Sequence, residues 1–221
     1  MNLPDALIPQ TPGLLGLALF AGLLARALYT APWGRLKEST QLNLFLGTAV
    51  TLGAIWSLRA GVRPGLDLHL LGATAFTLLC GPELAIVGLS MVLAVATYYG
   101  AGGWWSFPEN GLFMIVLPVW MSYAIYRWVD RRLPNHFFVY VFVNAFFVAG
   151  LAIAASGFAG SSFLALTGAY SLHYLLSQYL PYYILLAWSE ALTTGMAMTL
   201  MVVYRPQWVS TFDDARYIHH K

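Results

Sequence analysis

Side chains able to do chemistry are few in this chain, and most fall in short groups. Asp67 and His69 stand two apart just ahead of Leu70-Leu71-Gly72. Glu109 and Asn110 are adjacent in a Gly/Trp-rich stretch, and Glu190 follows Ser189 inside an apolar run. Asn2 and Asp5 belong to the opening segment Met1-Asn2-Leu3-Pro4-Asp5. An imidazole, a carboxamide, carboxylates and the amine of Met1 make a hard-to-borderline donor set that suits a divalent transition metal. Imidazole favours nickel, cobalt, zinc and copper(II), and oxygen ligands broaden the range. Each residue also has a plainer reading. A lone histidine at a helix end commonly caps or packs, and Glu109 can be solvated. Glu190 can pair with an arginine or with backbone to hold helices together, as intramembrane ions often do.

The elements that position these residues are membrane helices. Of 221 residues, 59% are hydrophobic and 9% charged, against about 25% charged in soluble domains. Such a chain cannot cover a water-facing surface with polar groups. A helix needs roughly 20 mostly apolar residues to cross the hydrocarbon layer. The apolar runs predict seven spans, near 13–31, 42–58, 68–80, 84–100, 112–128, 136–156 and 182–204. A further helix over about 163–180 packs on the bundle or lies at the interface, set off by a small-residue loop Gly157 to Ser162 and by Pro181. His136 and Asn144 fall in the sixth span, and His173 in the extra helix.

Orientation follows from the basic residues. With seven crossings and the N-terminus outside, the inner side holds Arg35, Lys37, Arg127, Arg131, Arg132, Arg205, Arg216 and Lys221, and the outer loops only Arg59 and Arg63. The expectation is an all-α polytopic membrane protein forming a single transmembrane domain over 1–221. It has an extracytoplasmic segment 1–12 and a cytoplasmic tail from about 205. The first basic residue is Arg26, so the positive region that opens a signal peptide is missing.

Several functions are excluded. A net charge of +2 gives no basic face for nucleic acid. One cysteine, Cys80, allows neither an intrachain disulfide nor a Cys-based zinc site. The only lysines are Lys37 and Lys221, so no phosphate-binding loop for ATP is present. No zinc-protease helix, hydrolase elbow or haem motif occurs, and no residue is assigned a catalytic role or a cofactor.

Three patches and one weaker one resemble a known group, the CbiM/NikM membrane substrate-binding subunits of nickel/cobalt energy-coupling factor transporters. Met1-Asn2-Leu3-Pro4-Asp5-Ala6-Leu7 is similar to the family's opening M-H-I-P-D-G-F. His69-Leu70-Leu71-Gly72 followed by Leu79-Cys80-Gly81-Pro82 resembles its H-L-L-G…L-G-P signature. Gly102-Gly103 with Asn110 resembles its G-G…N loop, and Glu190-Ala191-Leu192-Thr193-Thr194 its E-A-L-[LI]-T. The resemblance implies a divalent metal bound by the N-terminal amine, a backbone nitrogen, a position-2 imidazole and the H-L-L-G imidazole. Carried over, the ligand positions are Met1, Asn2 and His69, with Asp67 beside them and Asp5, Glu109, Asn110 and Glu190 in support. Position 2 departs from the family, since Asn2 stands where the family has His. A carboxamide is a poor nitrogen ligand, so Asp67 is a candidate for the missing donor.

The first reading is therefore a substrate-binding subunit for uptake of a divalent transition metal such as nickel or cobalt. It would sit in the plasma or inner membrane among lipid, driven by a coupling membrane subunit and an ATPase pair. The second is a non-transporting interaction or assembly subunit that has kept the fold. A third, a membrane enzyme using Glu190 or His69 as acid/base, has no nucleophile–base pair or complete ligand set behind it.

Overall fold

The computed structural model describes residues 2–61, 63–214 and 216–217. Met1 and the His219-His220-Lys221 end lie outside the described residues. The chain is a bundle of helices: α1 (Gln10–Thr30), α2 (Ser39–Ser57), α3 (Ala73–Cys80), α4 (Pro82–Tyr98), α5 (Phe107–Arg132), α6 (Phe137–Leu166), α7 (Leu172–Gln178) and α8 (Leu180–Tyr204). Four of them, α1, α5, α6 and α8, are long and apolar enough to cross a membrane, and α4 is a shorter apolar helix. Only 22% of the α1 span is buried within the bundle. Its outward residues include Leu14, Leu15, Leu17 and Leu19, and those of α8 include Ile184, Leu185 and Trp188. A surface this apolar is stable against lipid and not against water. This is an all-α polytopic membrane protein.

Three helix boundaries differ from the sequence expectation, each for a local reason. The third apolar run, 68–80, is helical only over Ala73–Cys80. At about 1.5 Å per residue those eight residues rise about 12 Å, well short of the hydrocarbon thickness. Helix formation stops at Gly72, whose φ of +66° is left-handed. The stretch Gly157 to Ser162 is not a loop but part of α6. Gly157 lies against the Tyr183 ring, so its smallness serves close helix approach. No single helix covers 163–180: Phe163 to Leu166 end α6, and α7 is a short helix that ends before Pro181.

Two short antiparallel strands, β1 (Ala60–Gly61) and β2 (Asp67–Leu68), form a ribbon between α2 and α3, with Gly61 opposite Asp67. Residues around α7 brace it: the Tyr170 hydroxyl donates to Pro64 O at 2.8 Å and the Tyr179 hydroxyl to Asp67 O at 3.3 Å. At the opposite end, residues after α8 fold back under α3. Ser210 N–H donates to Leu79 O at 3.0 Å and the Thr211 hydroxyl to Leu78 O at 2.8 Å. Arg216 pairs with Asp130 at 2.9 Å. The segment after α8 is packed against the bundle as far as Tyr217.

Candidate metal site

The opening segment is drawn into the protein by its own backbone. Leu3 is fully buried and Asn2 is 5% exposed. Leu3 N–H donates to Asn110 Oδ1 at 2.8 Å, and Asn110 Nδ2 donates back to Leu3 O at 3.0 Å. Ser106 Oγ donates to the same carbonyl at 2.6 Å. A side-chain amide that returns both bonds treats Leu3 as a neighbouring strand would. Two residues on, Asp5 Oδ1 accepts from Ser106 N–H at 2.8 Å. Trp105 Nε1 donates to Ile8 O at 3.3 Å. The Gly/Trp loop is thus a clamp whose donors and acceptors hold residues 3–8 in register.

Gly103 makes the clamp possible. A β-carbon there would overlap the Asp5 carboxylate. Gly103→Ala must therefore push Asp5 off Ser106. We expect about a tenfold or greater loss of metal affinity, typical of a disturbed supporting contact, with helix content unchanged by circular dichroism. Affinity equal to that of the native protein would show that the Asp5–Ser106 bond does not support the site.

The His69 turn is fixed as tightly. Leu71 N–H donates to Glu190 Oε2 at 2.8 Å and Gly72 N–H to Glu190 Oε1 at 2.7 Å. Trp56 Nε1 donates to Leu71 O at 3.1 Å, and the Trp56 and His69 rings lie 5.2 Å apart. His69 itself is 3% exposed, with Nδ1 3.0 Å from Leu70 O. A carbonyl can only accept, so Nδ1 carries the proton and Nε2 keeps its lone pair. Nε2 is buried and has no partner. Burial also pulls the imidazole well below its ordinary pKa, which keeps it in the neutral, ligating form. An oriented imidazole whose other nitrogen is anchored to a carbonyl is the usual state of a metal-ligating histidine.

The expected residues divide as follows. Asn2 and Asp67 line one cavity of about 530 Å³, with Arg59, Gly61, Arg63 and the Gly100 to Gly102 turn around it. Asn110 and Asp5 serve the clamp. Glu190 serves the His69 turn through backbone contacts alone. Glu109 faces α1 beside Gly16, buried, with both oxygens unpartnered. Met1 lies outside the described residues. Among the described residues, no three His, Cys, Asp or Glu side chains group closely enough to hold a metal. A metal held here would need donors beyond those side chains, such as backbone nitrogen, amine or carboxamide. Ser106, Trp105 and Trp56 had no signal in the sequence beyond their place near the glycines and the histidine.

Comparison with known proteins gives the family and the fold. A family model described as CbiM, cobalt uptake substrate-specific transmembrane region, matches residues 2–208. The chain is 30% identical over 159 residues to a probable fused nickel transport protein, LarMN, of Lactiplantibacillus plantarum. That match covers 68% of this chain and 48% of the relative, so the chain spans about half the relative's length. Among solved structures, a truncated transition metal transporter superposes with a TM-score of 0.81 at 17% identity, covering 92% of this chain and 99% of that one. A second transition metal transporter superposes with a TM-score of 0.79 at 18% identity, covering 91% and 92%. At these identities the two structures establish the fold.

Proposed function

The chain belongs to the CbiM family of cobalt/nickel uptake membrane components, and from that premise we propose that it is the substrate-binding subunit of an energy-coupling-factor-type transporter for a divalent transition metal. The observation that carries the reading is the buried, oriented and unpartnered Nε2 of His69. In the proposal, His69 supplies one nitrogen. The N-terminal segment, held over the loop by Asn110 and Ser106, supplies the others from Met1 and the backbone of residue 2. Asp67, which lines a cavity together with Asn2, is the candidate replacement for the position-2 imidazole. An oxygen donor there would shift preference away from strict square-planar nickel toward a harder or six-coordinate ion. An N-terminus on the outside would put this site on the outer face and the arginine-rich end of α5 inside. A coupling membrane subunit and an ATPase pair would drive release inward.

Metal analysis of the purified protein with a native N-terminus tests this. We expect about one bound nickel or cobalt ion per chain, lost when extra residues precede Met1, because the amine must be free and deprotonated to ligate. Equal metal content with and without the extension would remove the amine from the ligand set. The second reading, an assembly subunit without a substrate, is motivated by Asn2, which stands where the family has His. It predicts a metal-free protein in both preparations.

A further inference from the structure

Beyond the His69 turn, α3 meets α5 and α6 along a line of buried polar side chains. At the inner end, Tyr140 Oη and Thr211 Oγ1 lie 2.7 Å apart, Thr211 Oγ1 donates to Leu78 O, and the Tyr126 hydroxyl donates to Thr211 O at 3.0 Å. One turn back along α3 and α5, Thr74 Oγ1 and Ser122 Oγ are 2.8 Å apart, both fully inside the bundle. One turn on from Tyr140 along α6 stands Asn144. Since α6 runs opposite to α3 and α5, these registers bring Asn144 to the level of the Thr74–Ser122 pair. Asn144 is 1% exposed, and neither Oδ1 nor Nδ2 has a partner.

The hydrogen-bonding valences are complementary. Ser122 Oγ gives its proton to Pro118 O at 2.7 Å, so Thr74 donates to Ser122. What the pair has left is lone pairs. Asn144 has two unspent N–H groups and an unspent oxygen. A ligand that both donates and accepts joins the two sets, and in an uncharged setting this small the chemistry is that of water. The backbone agrees. Asn144 lies within a π-helical stretch, Tyr140–Phe147, in which the helix is widened. Such widening is a common accompaniment of an inserted water or a functional side chain.

We propose that Asn144, with the Thr74–Ser122 pair, is a binding site for a single buried water molecule that joins α6 to α3 and α5. The helix that carries the His69 turn is thereby tied to the bundle centre through an exchangeable ligand. Asn144→Leu, close to Asn in shape, reads this by sign. If the water is held, the variant strips it of its main partner, and the thermal midpoint falls by roughly 3 °C or more. If the site is dry, the variant removes two unpaired polar groups and the midpoint rises or stays level, which overturns the proposal. Should the variant not fold, an experimental structure of the native protein at water-resolving resolution decides. A peak within hydrogen-bond distance of both the Asn144 carboxamide and the Thr74 or Ser122 hydroxyl supports the site, and its absence overturns it.

Discussion

Replacing His69 by alanine is expected to abolish saturable binding of nickel or cobalt by the purified protein with its native N-terminus. Disturbing only the contacts that orient a ligand costs about 10–100-fold in metal affinity, so losing a ligand should exceed that range. The loss is specific because His69 contributes little else. Its ring makes one hydrogen bond, to the adjacent Leu70 carbonyl, and packs on Trp56. The turn around it is held by Glu190 and Trp56 through backbone atoms of Leu71 and Gly72, none of which the substitution touches. The apoprotein should therefore remain monodisperse while the calorimetric signal vanishes. A titration indistinguishable from the native protein would take His69 out of the ligand set. The bonds on Leu3 would then be the ordinary pairing of a buried backbone.

The parts of this site that sequence reading found are those written locally. The spacing of Asp67, His69 and Gly72, the opening residues and the Gly102-Gly103…Asn110 interval are short patterns of residue type. Of these residues the structure brings Asn2 and Asp67 to one cavity and Asn110 to Leu3. Roles that depend on distant partners were not legible. Nothing near Ser106 says that its hydroxyl meets Leu3 O, and nothing near Glu109 says that it turns toward α1 and away from the cavity. The helix boundaries failed where composition carries two meanings. Gly157 to Ser162 reads as a loop if small residues mean flexibility. In a bundle the same residues let α8 come close, with Tyr183 on Gly157. The run 68–80 reads as a span because hydropathy counts side chains. What limits α3 to Ala73–Cys80 is a backbone event at Gly72, secured by a carboxylate 118 residues away. No apolar run marks the segment after α8, and nothing in it says that Ser210 and Thr211 meet the last carbonyls of α3, which would otherwise be unpaired.

Glu190 is the residue whose loss should cost the apoprotein most. The open question in the sequence was whether it pairs with an arginine or with backbone. Each of its oxygens accepts one backbone N–H, from Leu71 and from Gly72, at 2.8 and 2.7 Å. Those two groups enter α3, so the carboxylate sits at a helix N-terminus, where the backbone dipole favours negative charge. Glu190→Ala leaves two buried N–H groups without acceptors. Leaving such donors unsatisfied costs about 1–3 kcal/mol each, so a loss of roughly 3 kcal/mol is expected. Glu190→Gln keeps one acceptor and turns an NH2 toward the other N–H, so its cost should be intermediate. The two substitutions should also weaken metal binding in the same order, because the turn they loosen is the one that aims His69. The pattern separates this role from direct ligation. A ligand's removal lowers affinity and leaves the metal-free melting temperature near native, whereas a support for the turn lowers both together. If Glu190→Ala melts like the native protein without metal, the α8-to-α3 contact is not what holds the His69 turn, and the short helix must be fixed from its other end, by Ser210 and Thr211 on Leu79 and Leu78.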